Sequence, residues 1–371
     1  MKQSRFAKYL NWLGLSAALG SAAALADDSV IYTMDNAASA NHVLVFHAGE
    51  HGAPKLVETV PTGGTGTGAG LSSQGSVLLT RDGRWLFVCN AGSDEVSVFA
   101  AGNRDLHLAQ KVHSGGHLPL SLTLHRNLLY VLNAGGSVGD KDNITAFAFA
   151  NGSLFQLSGS TRALSADNTG PAQVSFTQDG DALVVTERNT NLIDTFPLGD
   201  DGLAMPGSSF ASAGQTPFGF AVGHRDRIFV SEAGGGAANA SSASSYSISD
   251  TGELTVISGA VPTRQTAACW LTLTHDGRFI YTANAGSGTL SGYGVAPDGT
   301  LHLLDPNGIT ASTGPGSHPV DMAEGRDGRM LFALANGNGT LGAFRLTGDG
   351  GLQPLGFAGG IATSAAGLAA Q

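Results

Sequence analysis

Short apolar runs of roughly five residues, broken by clusters of Gly, Asp, Asn and Ser, follow one another along the chain. No segment beyond the first 26 residues sustains a 3.6-residue period. Within this pattern one unit returns seven times: a hydrophobic strand, a small-residue turn and a second strand. The long copies run from Phe87 to Phe99, Val184 to Phe196, Tyr281 to Tyr293 and Phe332 to Phe344. Shorter ones run from Tyr32 to Ala37, Tyr130 to Gly136 and Phe229 to Gly235. Six copies end their first strand in an acid or amide, and the seventh ends in alanine. These anchors are Asp35, Asn90, Asn133, Glu187, Glu232, Asn284 and Ala335, spaced 55, 43, 54, 45, 52 and 51 residues apart. A period of roughly 50 is that of one four-stranded blade. The pattern therefore predicts an all-β fold, a seven-bladed propeller of four-stranded antiparallel blades.

One blade can be parsed strand by strand. Ser76 to Thr80 is the expected inner strand, Trp85 to Asn90 the second, Glu95 to Phe99 the third and Leu106 to Val112 the outer one. Asp-Gly turns join inner to second strands at Asp82-Gly83, Asp179-Gly180, Asp276-Gly277 and Asp327-Gly328. They recur before the outer strands at Asp201-Gly202, Asp298-Gly299 and Asp349-Gly350, with Thr251-Gly252 in the equivalent place. Such pairs supply the positive φ of tight turns, and they lack the further oxygens of a calcium loop. The first copy opens on a second strand, Val30 to Met34, with no inner strand of its own. The tail Ser364 to Ala370 is expected to supply it, pairing the two chain ends and leaving no open edge.

Composition suits many short strands and tight turns: 54 glycines, 42% hydrophobic residues and 13% charged residues in 371. The first residues read differently. Lys2, Arg5 and Lys8 precede an apolar, alanine-rich stretch from Leu10 to Leu25 and the small-x-small pattern Ala24-Leu25-Ala26. Residues 1–26 are thus expected to be a cleaved signal peptide and residues 27–371 the propeller, with the product periplasmic or secreted. Losing three basic residues would take the formal charge from −10 to −13. So acidic a surface disfavours nucleic acid and anionic lipid, and no membrane insertion is expected after cleavage. A small-molecule partner and a monomer are expected. Cys89 and Cys269 fall in blades on opposite sides of the ring, too far apart to bridge, and read as buried free thiols. His47 and His51 flank a glycine turn rather than a helix, so no metal and no cofactor is expected.

In such a blade the inner strand begins on the face where the second strand ends. That face is expected to collect the anchors together with His117-Leu118-Pro119, Gly170 to Gln173, Gln215 to Phe218, Arg264 to Trp270 and Ser317 to Asp321, lining a polar central funnel. The chain here resembles the seven-bladed propeller lactonase family, which includes propeller-type 6-phosphogluconolactonase and the fungal 3-carboxymuconate cyclase. The telling element is Asp-Gly-Arg followed by an alternating strand that ends in Asn, as in Asp82-Gly83-Arg84 leading to Asn90.

The resemblance implies a site in blade 4, where the family's inner strand opens Gly-Pro-Arg-His and its second strand ends in Asn-Glu. Here the stretches are Gly170-Pro171-Ala172-Gln173 and Thr186-Glu187. The glutamate is kept; the arginine and histidine are replaced. Lactone opening needs an activated water and donors at the oxyanion. Glu187 and Glu232 are therefore the expected catalytic bases, with Asn133, Gln173, Arg264, Trp270, His318 and Asp321 expected to contact substrate. Each has a structural alternative. Arg188 or Arg264 is the expected anion clamp; the glutamates can cap turns, Arg188 can equally be solvated or salt-bridged, and Trp270 is either a funnel platform or a plug. Two functions follow: an exported lactonase-like hydrolase (or a muconate cycloisomerase-like enzyme) acting on a small cyclic ester, or a non-catalytic periplasmic binding or assembly propeller that has lost the Arg-His pair.

Overall fold

The computed structural model describes residues 29–102 and 105–371; the expected signal peptide, residues 1–26, and its cleavage point lie outside them. Seven antiparallel sheets follow one another as blades. Blade 1 comprises Ser29–Met34, His42–Ala48 and Lys55–Pro61, with Ala366–Ala370 as its innermost strand. In blades 2 to 7 the inner strands are Val77–Leu79, Pro119–His125, Pro171–Phe176, Pro217–Gly223, Ala268–Leu273 and Pro319–Glu324. Each pairs with a second strand: Trp85–Asn90, Leu128–Ala134, Ala182–Glu187, Arg227–Glu232, Phe279–Asn284 and Met330–Ala335. Four inner strands begin on proline, as the sequence suggests, because a first strand residue can spare its N–H. The outer positions of blades 3 and 6 are broken in two: Ser153–Gln156 with Arg162–Ala163, and Leu301–Leu303 with Ala311–Ser312.

Burial falls from axis to rim. Second strands are sealed on both faces, as in Ala182–Glu187, whereas the outer strand Lys55–Pro61 is mostly exposed. Sheet side chains stand perpendicular to the sheet. In radially set blades they therefore meet the neighbouring blade, and cores form between blades, such as Phe87, Val98, Leu122, Val131 and Phe147 between blades 2 and 3. Polar links recur beside these cores. The carbonyls of the outer-turn glycines each accept a hydroxyl from the preceding blade: Tyr130 to Gly202 at 2.9 Å, Thr195 to Gly252 at 2.8 Å, Ser245 to Gly299 at 2.7 Å and Tyr281 to Gly350 at 2.8 Å. Gly202 has φ 77° and Gly350 φ 87°, so these turns need glycine to present that carbonyl.

The ring closes as expected. Ala366–Ala370 pairs with Ile31–Met34 through a bulge at Thr33/Met34, and Val30 and Gln371 exchange both backbone hydrogen bonds at 3.1 and 3.0 Å. Leu368 is buried in the core shared by blades 6, 7 and 1. Asp321, expected to meet substrate, is instead fully buried in this closure. Its carboxyl accepts the Met322 N–H at 2.8 Å. Its Oδ2 has no partner, and burial pushes the group up to about 8.

Two stability predictions follow from the closure. Leu368→Ala should cost about 2–4 kcal/mol, measured by denaturant unfolding. Asp321 keeps its proton in the folded chain up to about pH 8, whereas the unfolded chain releases it near pH 4. Its contribution is therefore fully present below about pH 4 and is lost as pH rises to about 8. Asp321→Asn should reduce that decline by one proton's worth, about 1.4 kcal/mol per pH unit where the group alone differs.

Candidate functional site

The anchors end their strands on one face, but their side chains are held within and between the blades, not along the axis. Glu187 is completely buried. It accepts the Ser165 N–H at 3.1 Å and hydroxyls from Ser165 at 2.5 Å and Thr190 at 2.6 Å. Asp194, buried beside it, is raised well above the ordinary carboxyl range by burial and by the neighbouring Glu187 carboxyl. Glu232 is equally sealed. It accepts the Gly214 N–H at 2.8 Å and the hydroxyls of Ser242 and Ser244, the latter at 2.5 Å. Burial raises it and those donors oppose the rise; Glu187 plays no part. The two glutamates do not converge, and neither offers a surface from which to activate water.

The other expected contacts are also dispersed. Asn133 donates to Asn143 Oδ1 at 3.0 Å inside blade 3. Gln173 clamps the next inner strand, donating to the Phe220 carbonyl at 2.9 Å and accepting its N–H at 2.7 Å. Arg264 is exposed and points outward, bonding the Pro306 carbonyl at 2.7 Å. His318 is an exposed turn residue with φ 51°, in the register where Leu118, Gly170, Thr216 and Ala267 also take positive φ before their inner strands. Trp270 is buried, so it is not an open platform; its indole N–H donates to the Ser73 carbonyl at 2.8 Å.

Ser73 belongs to a strap that crosses between the inner strands of several blades. The glycine-rich segment after Pro61 is fixed rather than loose. Asn36 holds it through Thr67 and the Ala69 carbonyl, and Gly92 donates to the Thr65 carbonyl at 3.0 Å. It then crosses the ring. Ser73 Oγ donates to the Leu120 carbonyl at 2.8 Å, and the Gln74 N–H to the Ala172 carbonyl at 3.0 Å. The Gln74 side chain donates to the Leu271 carbonyl at 2.7 Å and accepts its N–H at 3.0 Å. Blades 3, 4 and 6 are thereby tied together by a segment leading into blade 2.

Arg188, the alternative to Arg264 as an anion clamp, is placed differently. The residue following each anchor is Asn36, Ala91, Ala134, Arg188, Ala233, Ala285 and Asn336. Arg188 is the single charge in that register, and that was the signal available in the sequence. Its backbone N–H and Nε–H both donate to the Gly170 carbonyl, at 3.2 and 2.9 Å. Its guanidinium lies 5.2 Å from the centroid of the Phe218 ring, which packs 4.9 Å from Trp270. It is half-buried and makes no salt bridge among the described residues. Burial pulls it below its ordinary value, only partly offset by Cys269 and Asp142. Cys269 is partly rather than fully buried, both cysteines are free, and burial pushes the Cys269 thiol up to about 12, so it is no nucleophile. A partly desolvated, unpaired guanidinium on an aromatic floor is a receptor for a carboxylate or an oxyanion.

No protein of curated function matches this sequence. Among solved structures, the periplasmic gluconolactonase PpgL of Pseudomonas aeruginosa is similar, with a TM-score of 0.69 and 16% identity over 92% of this chain and 98% of that one. A "putative 6-phosphogluconolactonase" from Bacteroides uniformis gives a TM-score of 0.70 and 15% identity over 93% and 99%. At such identities the likeness is one of fold. The model of the family "Lactonase, 7-bladed beta-propeller" matches residues 25–162 and 225–358. The unmatched interval holds all of blade 4, where Ala172 and Gln173 replace the expected pair. More than half of the chain is covered, and this protein belongs to the seven-bladed β-propeller lactonase family.

Proposed function

We propose that the chain is a lactonase-type hydrolase that opens a small cyclic ester at the anchor-bearing mouth of the propeller, with Arg188 as the group that meets the carbonyl oxygen. The observation that carries this reading is the unpaired, half-buried guanidinium of Arg188, one residue beyond the blade 4 glutamate. It offers the positive charge that Ala172 no longer supplies on the inner strand. Family membership supports the reaction class. Water from solvent adds to the carbonyl carbon, negative charge gathers on the oxygen facing Arg188, and the ring C–O bond breaks. The alkoxide takes up a proton, giving the hydroxy acid. Arg188 stabilises the oxyanion and then the product carboxylate. A single guanidinium suits a monoanion better than a phosphate dianion, so lactones without a phosphate are the preferred class.

A second reading, a non-catalytic binding propeller, is favoured by one specific observation. Glu187 and Glu232 are sealed, so neither expected base is open beside the cation. We also propose export, supported by the pattern of residues 1–26 and by the periplasmic description of the Pseudomonas relative.

A pH-indicator assay of the purified protein on sugar, aryl and aliphatic lactones tests the first reading. Arg188→Met should lower turnover about 100-fold, with Arg188→Lys intermediate. Unchanged turnover in Arg188→Met sinks the assignment. A flat panel, with D-gluconate bound by the native chain and not by Arg188→Met, moves the function to binding. Intact mass after expression with export should give a chain beginning at Asp27; a retained N-terminus rejects cleavage there.

A further inference from the structure

We propose that the strap, through Gln74 and Ser73, is a positioning device that aims Arg188, and that Gln74 and Trp270 are positioning residues for ligand at the mouth. This rests on the reading of Arg188 given above. Inner strands are tied to the next blade by side chains at one register. Ser121 Oγ accepts the Val174 N–H at 3.1 Å, and Gln173 holds Phe220. Blade 5 has Gly219 at this register and so has no side chain to offer blade 6. A Cβ at Gly219 would overlap the Gln74 amide oxygen. Gln74 thus fills the space vacated at Gly219 and makes, from the far side of the ring, the two bonds to Leu271 that blade 5 cannot make.

The same strap residue pair fixes the floor under the cation. The Ser73 carbonyl holds the Trp270 indole, Trp270 packs on Phe218, and Phe218 carries the Arg188 guanidinium. Thr186, just before the Glu187–Arg188 pair, donates to the Phe218 carbonyl at 2.5 Å, so the backbone below the ring is fixed from blade 4 as well. Gln74 also bonds the carbonyl of Ala172, two residues from the Gly170 carbonyl that accepts Arg188 Nε–H. The cation therefore has two supports, Gly170 in its own blade and Phe218 in the next, and the strap braces both.

The test labels the full chain with ¹⁵N-arginine and follows the Arg188 Nε–H resonance, assigned by its loss in Arg188→Met. In Gln74→Ala the resonance should shift and its exchange with water quicken roughly tenfold, with the lactone KM raised more than kcat is lowered. Trp270→Phe, which keeps a ring and deletes the donor to Ser73, should act in the same direction. Ser121→Ala removes a clamp of the same kind elsewhere and should lower the melting temperature while leaving the Arg188 resonance native. A native Arg188 resonance and native exchange in both Gln74→Ala and Trp270→Phe overturn the proposal. Because the resonance is read without ligand, that failure is distinct from failure of the lactonase reading, which appears as turnover surviving Arg188→Met.

Discussion

Every inner strand of a propeller has a sheet neighbour on one side only. Its other edge faces the axis with free N–H and C=O groups, and such groups are costly when buried without partners. The architecture of this ring follows from how that edge is satisfied. Side chains reach across from the preceding blade: Ser121 to Val174, Thr123 to Phe176 and Gln173 to Phe220. Where a glycine interrupts the series at Gly219, the chain brings in Gln74 from a loop. Tying the inner strands across the ring and supporting the Phe218–Trp270 floor thus fall to one segment, which enters where the clamp series fails.

That constraint explains which parts of the structure were legible in the sequence. Strand positions, Asp-Gly turns and ring closure depend on local periodicity and turn chemistry, which is why Pro119, Pro171, Pro217 and Pro319 open their strands and the last five paired residues complete blade 1. The site was less legible, because the anchors were expected to converge on the axis simply by ending on one face. Perpendicular side chains in radial sheets look toward the adjacent blade or along their own hairpin. Glu187 and Glu232 are accordingly absorbed by serine and threonine hydroxyls. A residue reaches the mouth only after the strand has ended. Arg188 does so, and its register among four alanines and two asparagines was readable once that rule is applied. The strap was not readable, since the bonds of Gln74 to Leu271 span 197 positions and depend on the absence of a side chain at Gly219.

The departure of blade 4 from the family pattern also acquires a physical setting. Ala172 is fully buried, its carbonyl taken by the strap, and Gln173 serves as an inter-blade clamp. Both replaced positions have structural employment here. The charge has shifted to a residue whose backbone and side chain both bond the Gly170 carbonyl. Blade 4 also holds the buried carboxyls Glu187 and Asp194, so the same stretch carries a carboxyl that burial raises and a cation that burial pulls down.

The outer-turn links have a further consequence. From blade 3 to blade 7 the hydroxyl always belongs to the earlier blade and the glycine carbonyl to the later one. The ring therefore has a handed sequence of dependence, like a circle of people each with a hand on the next shoulder. Loss of one hydroxyl loosens the outer rim of the following blade and not its own. In a library of duplicated or transplanted blades, the compatible junctions would be those that keep this donor-then-acceptor order, whatever the sequences between them.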